Sequence, residues 1–176
     1  MTNQFGEPPP RGWAAPAPRR PNGATAIIAG IAALAVGGML GALPVQRFIV
    51  SGVEMAPARL LVVLGLYLGG ALLLVWGALM TFFRSVAGAI LLLLGALVAI
   101  AAVVLEPILL YPGMFAEFFQ AVFQLAPELA FARIAGAVGG PLVFLLAVLP
   151  STFRYLRYRP SELSYGVPLG YSRQGW

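Results

Sequence analysis

The sequence predicts an all-α protein, a four-transmembrane-helix bundle with an extracytoplasmic amphipathic helix and disordered cytoplasmic tails. Four windows without charged side chains carry that prediction: Arg20 to Arg47, Arg59 to Arg84, Arg84 to Glu106 and Arg133 to Arg154. Each is dominated by Leu, Ala, Val, Ile and Gly. Each has room for a helix of about 20 residues, which at about 1.5 Å per residue crosses a hydrocarbon core of about 30 Å. Composition agrees: 60% of the 176 residues are hydrophobic, 10% are charged and the mean hydropathy is +0.90. A soluble domain, with about 25% charged residues, could not hide that much apolar surface.

Residues 1–23 hold Pro8, Pro9, Pro10, Pro16, Pro18 and Pro21 with no apolar periodicity. Such a segment cannot bury enough surface to offset its ordering entropy, so a disordered Pro/Arg-rich cytoplasmic tail is expected. Arg19-Arg20 precedes an apolar run too long for a signal core and without a cleavage site, which makes that run an uncleaved first span. The membrane domain is expected over residues 24–153. Span one, about 24–45, exits at Pro44 and Gln46-Arg47. Ala29, Ala33, Gly37 and Gly41 recur there at every fourth residue, forming one smooth stripe for close helix approach.

Span two, about 58–82, begins just after Pro57, which suits a first helical turn. The short connection around Arg84 makes spans two and three an antiparallel hairpin, with Ser85 as N-cap of span three. Span three, about 86–105, ends at Glu106-Pro107. A hairpin turning near Phe82-Phe83 sets Gly77 opposite Gly88 and Gly70 opposite Gly95, so that the two backbones approach closely, with Gly65 on another face.

The long connection contains Met114, Phe115, Phe118, Phe119, Val122 and Phe123 at helical spacing, with Glu117, Gln120 and Gln124 opposite them. This predicts an amphipathic helix over about 114–126. Its polar face lacks Lys and Arg, which favours a cap on the bundle over recruitment to anionic lipid. Pro127 opens span four, about 127–153, and puts Glu128 in its first turn, where the positive helix end favours a carboxylate. Residues 154–176 begin as a basic-aromatic juxtamembrane segment and continue as a disordered tail. Arg154, Arg157 and Arg159, interleaved with Tyr155 and Tyr158, are expected to meet lipid headgroups.

With the N-terminus cytoplasmic, Arg11, Arg19, Arg20, Arg84, Arg154, Arg157, Arg159 and Arg173 lie inside, against Arg47, Arg59 and Arg133 outside. The positive-inside rule therefore predicts that both termini are cytoplasmic.

The chemistry available is narrow. The chain has no Cys and no His, so it lacks the thiolate and imidazole groups that hold most protein-bound zinc and haem and perform most acid–base work. No phosphate-binding glycine loop, nucleophile elbow or zinc-binding motif is present. The expected reading is no catalytic residue, no cofactor and no metal. The net charge of +5 is dispersed around hydrophobic segments, and no nucleic-acid partner is expected. Glu106 and Arg133 are the candidate ionisable site. Glu106, at the predicted end of span three before a proline, could cap the interface, carry a proton or bind a cation. Arg133, inside the apolar start of span four, could pair with Glu128, Glu106 or a lipid phosphate, or snorkel to the surface.

The proline-rich tail followed by Pro-Asn-Gly-Ala-Thr-Ala-Ile-Ile-Ala-Gly at 21–30 resembles the small multi-pass membrane proteins with proline-rich N-terminal tails found in mycolate-bearing actinobacteria. The resemblance covers the first quarter of the chain and the four-span plan. It implies a bacterial plasma membrane and carries over no catalytic residue. The expected function is that of a non-enzymatic membrane protein, an accessory or scaffold subunit whose partners are the lipid bilayer and other membrane proteins or further copies of itself. The alternative is a small homo-oligomeric channel or transporter with Glu106 and Arg133 at its outer mouth.

Overall fold

The computed structural model describes residues 23–51, 57–125 and 129–157. These form α1 (Ala24–Ser51), α2 (Ala58–Phe82), α3 (Val86–Leu110), α4 (Phe115–Phe123), α5 (Ala130–Ile134), a π-helical stretch (Ala135–Gly139), α6 (Gly140–Val148) and α7 (Pro150–Arg157). Helices α1, α2 and α3, and the run from α5 to α6, are long and apolar enough to cross a membrane. The fold is the expected all-α, four-span bundle of a multi-pass membrane protein. Large apolar side chains such as Ile31, Leu72, Trp76, Leu94 and Leu145 point away from the bundle, as lipid-facing positions require.

Two prolines do not end their helices where the sequence predicted exits. Helix α1 runs through Pro44 to Ser51, and α3 through Pro107 to Leu110. Each proline lacks the N–H that would meet the carbonyl four residues earlier, but both are fully buried. Packing against neighbouring helices sustains such turns in membrane helices. Glu106 consequently lies one turn inside α3.

The α2–α3 hairpin has a different register from the predicted one. Its turn is centred at Arg84: Arg84 N donates to Thr81 O at 2.9 Å, Ser85 N donates to Met80 O at 3.0 Å, and Arg84 is left-handed with φ 58°. Moving the turn from Phe82-Phe83 to Arg84 slides facing residues by about one helical turn. The glycines therefore face partner backbone and not one another. A Cβ on Gly77 would lie 2.8 Å from Leu92 N, one on Gly95 2.9 Å from Leu74 N, and one on Gly88 2.5 Å from Thr81 N. A Cβ on Gly70 would lie 3.3 Å from Ala99 N, whereas one on Gly65 would meet open space. Ser85 occupies the N-cap position of α3 without a side-chain capping bond.

The small-residue stripe of α1 is covered within the chain. Ala29 and Ala33 are fully buried. Gly37 packs on the Ala71 carbonyl and Val75, and Gly41 on Ala71, so α2 closes this face. Span four docks on the other elements through its own glycines: Gly136 against Val103 and Leu40, Gly139 against Val36, and Gly140 against Ile100.

Span four is not the continuous helix to Phe153 that the sequence predicts. It widens into the π-helical stretch just after Arg133 and stops at Val148. Leu149, with ψ 133°, takes the extended conformation favoured before proline. Pro150 cannot donate to the Leu146 carbonyl, and the Thr152 hydroxyl donates to it instead at 2.9 Å. Helix α7 then turns Thr152 and Leu156 inward and leaves Arg154 and Arg157 exposed. At this hairpin end of the bundle, the Arg84 guanidinium lies 4.6 Å from the centre of the Tyr155 ring, and the Thr25 hydroxyl donates to the Ser151 hydroxyl at 3.1 Å.

At the opposite end α4 is shorter than the predicted 114–126. Leu125, left-handed at φ 59°, follows its last turn. The aromatic face packs largely on itself, with Phe115 and Phe119 ring centres 4.9 Å apart and Tyr111 stacked on Phe118 at 5.8 Å. Val122 is buried beneath the helix, while Phe115 and Phe123 stay exposed.

Candidate functional site: a buried Tyr–Glu–Arg cluster

The α4 end of the bundle gathers the polar groups of three spans. Because α3 continues past Pro107, Glu106 faces inward among Ala102, Val103 and Pro107, with only 3% of its surface exposed. A lone carboxylate there would be untenable in a low-dielectric interior. Arg133, on the short helix α5, reaches it: Nη2 donates to Oε1 at 2.7 Å, and Nε donates to Oε1 at 3.0 Å and to Oε2 at 3.1 Å. Tyr67 of α2 completes the set, its hydroxyl donating to Oε2 at 2.7 Å. Both carboxylate oxygens are thus engaged by charge-assisted or phenolic donors at short distance. Among the described residues no buried side-chain nitrogen or oxygen lacks a hydrogen-bond partner.

The backbone explains why these residues meet. The π-helical stretch begins two residues after Arg133, and its wider turn rotates the helix face. Arg133 before it, Gly136 and Gly139 within it and Gly140 just after it can all face the bundle. The guanidinium also lies 5.9 Å from the centre of the Phe118 ring on α4, which ties the capping helix to the cluster.

The two residues singled out from sequence are therefore brought together, and Glu106 is the observed partner of Arg133. Glu128, the other acidic partner considered, lies outside the described residues, as do Glu54, Arg159 and both terminal segments. Arg154 and Arg157 sit on exposed turns of α7 at the far end and do not join the cluster. The packing residues Ala29, Ala33, Gly37, Gly70, Gly77, Gly88 and Gly95 are buried between helices, and Gly41 is half-buried. Tyr67 is the participant that sequence reasoning missed. Its signal was present: it is the only ionisable side chain in the windows that define the four spans.

Beside the cluster lies a cavity of about 280 Å3, bordered by Tyr67, Glu106, Arg133 and Tyr111 and by the exposed Arg47 of α1. Its remaining wall is apolar, formed by Leu43, Pro57, Leu60, Val63, Leu64 and Leu110. Among the described residues there is no group of acidic side chains placed to hold a metal ion. Comparison of the chain with protein-family models, with curated proteins and with solved structures finds no match.

Proposed function

We propose that this chain is a non-enzymatic subunit of a bacterial plasma-membrane complex, an accessory or scaffold protein with both termini in the cytoplasm. The observation that carries the reading is the engagement of both Glu106 oxygens by Tyr67 and Arg133. A proton- or cation-carrying carboxylate must exchange its partners, whereas both Glu106 oxygens are committed to two other helices. The cluster then serves as a clamp that holds α2, α3 and α5 in one arrangement, which suits a scaffold and disfavours the channel alternative. The outer face of α2 supports the same reading. Gly65 and Gly69, one turn apart, have nothing within 4 Å of a Cβ built on them, so a partner helix could approach that backbone closely.

Purification from native membranes in mild detergent is expected to retain stoichiometric membrane partners, and Gly65→Leu/Gly69→Leu to release them while the chain stays folded. The same protein in liposomes is expected to conduct no ions, and Glu106-dependent flux would overturn the scaffold reading in favour of the channel. Orientation is checked separately in this Cys-free chain with single cysteines at Asn3, Ser51, Gln120 and Ser172. An impermeant thiol reagent applied to intact cells is expected to label Ser51→Cys and Gln120→Cys but neither terminal variant. The reverse pattern would place the termini outside.

A further inference from the structure

The cavity beside the ion pair has the wrong chemistry for a cation and a suitable one for an anion attached to a chain. Of the described charged residues that border it, Arg47 and Arg133 are positive and Glu106 is negative. The Glu106 oxygens already accept from Tyr67 and Arg133, so the carboxylate has little left to offer a cation. Arg47 is exposed and makes no ion pair with a described residue. The two arginines also border an adjoining space of about 40 Å3, together with Gln46, whose amide adds a donor. The same cavity is also lined by the apolar side chains of Leu43, Leu60, Val63 and Leu64. A free inorganic anion would leave those side chains uncovered. An amphiphile would use both kinds of lining, and α1 and α2 meet here beside Arg47 and Arg59, where a leaflet presents its headgroups.

We propose that this cavity binds one anionic lipid, its phosphate beside Arg47 and Arg133 and the upper part of one acyl chain against Leu43, Leu60 and Val63. Guanidinium groups recognise phosphate oxygens through paired N–H donors. The exposed Arg47 is the arginine that offers such a pair, while Arg133, whose Nε and Nη2 already donate to Glu106, adds positive charge at the border. A volume of about 280 Å3 accommodates a headgroup phosphate and a few methylenes while the rest of the chain stays in the bilayer. The site is distinct from the exposed Arg154 and Arg157 on α7, which lie at the other end of the bundle and border no part of this cavity.

The test follows thermal unfolding of the full chain in neutral detergent micelles during titration with phosphatidylglycerol, phosphatidylcholine or inorganic phosphate. Phosphatidylglycerol is expected to raise the midpoint saturably, and the other two to leave it unchanged. Arg47→Gln is expected to weaken the apparent phosphatidylglycerol affinity about fivefold, the equivalent of one arginine near an anionic headgroup. Leu60→Trp, which fills the apolar side, is expected to weaken it as well. Arg154→Gln/Arg157→Gln is expected to keep the full response, which separates the cavity from a general basic surface. An equal response to phosphatidylcholine would overturn the proposal by removing the anion requirement. An equal response to inorganic phosphate would overturn it by removing the acyl chain. Retention of the full response by both Arg47→Gln and Leu60→Trp would show that lipid binds elsewhere.

Discussion

Replacing Glu106 by Leu is expected to destabilise the bundle by about 3–5 kcal/mol, the range for removing one partner of a buried ion pair. The loss comes less from the missing attraction than from what remains. Arg133 would keep its charge in a site where its side chain is only 11% exposed, and Tyr67 would keep a buried hydroxyl whose acceptor has gone. Removing the whole pair should therefore be milder than removing half of it. Glu106→Leu/Arg133→Met is expected to recover the larger part of the loss, because the uncompensated charge is gone and only the Tyr67 hydroxyl still lacks its acceptor. Tyr67→Phe, which takes one hydrogen bond from a carboxylate that keeps its arginine, is expected to cost only about 1–2 kcal/mol. The midpoint of unfolding in mixed micelles of mild and denaturing detergent measures all of these. A Glu106→Leu chain as stable as the parent would mean that Arg133 escapes to water or to a lipid phosphate and that the cluster is no clamp.

Gly88→Leu is expected to open the α2–α3 hairpin and cost about 3 kcal/mol, at the upper end for overpacked sites. A Cβ there would meet the Thr81 amide nitrogen at 2.5 Å, and one on Gly77 the Leu92 nitrogen at 2.8 Å. These obstacles are backbone atoms, which cannot swing aside as a flexible side chain would. In lipid no hydrophobic drive pulls the helices back together, and close dispersion contact accounts for much of their association. Gly65→Leu, on the open face of the same helix, is the matched control and is expected to leave stability within about 0.5 kcal/mol, as surface substitutions usually do. The same detergent titration compares the two variants with the parent chain. Equal midpoints for Gly88→Leu and Gly65→Leu would show that the hairpin helices can separate without loss.

The glycines show how far sequence spacing reaches. That Gly70, Gly77, Gly88 and Gly95 belong to the α2–α3 interface follows from their heptad spacing, since residues seven apart return to one helix face. Which residues they meet depends on where the turn is centred. A shift of two residues in the turn moves every facing position by about four, and the local sequence Thr-Phe-Phe-Arg-Ser offers no single breaker that decides it. Arg84 decides it by taking up the left-handed conformation, held beneath Tyr155 from the distant α7. The stripe of α1 behaves likewise. Its smoothness is written in Ala29, Ala33, Gly37 and Gly41, but its occupant is set by α2, which presents Ala71 to Gly37 and Gly41.

By itself the sequence determined the helical class, the four apolar spans, the hairpin between the second and third, and the amphipathic helix before the fourth. These depend on hydrophobic run length and periodicity, properties of consecutive residues alone. It also marked Glu106 and Arg133, because charge next to an apolar run is conspicuous anywhere in the chain. Only the tertiary structure decided that Pro44 and Pro107 lie within helices, that span four loosens after Arg133 and breaks at Pro150, and that Tyr67 joins Glu106 across two helices. A proline ends a helix or stays within it according to what packs around it, and a buried carboxylate survives according to which donors other segments bring. Both are settled between residues tens of positions apart, where the energy of packing and of paired charge outweighs local preference.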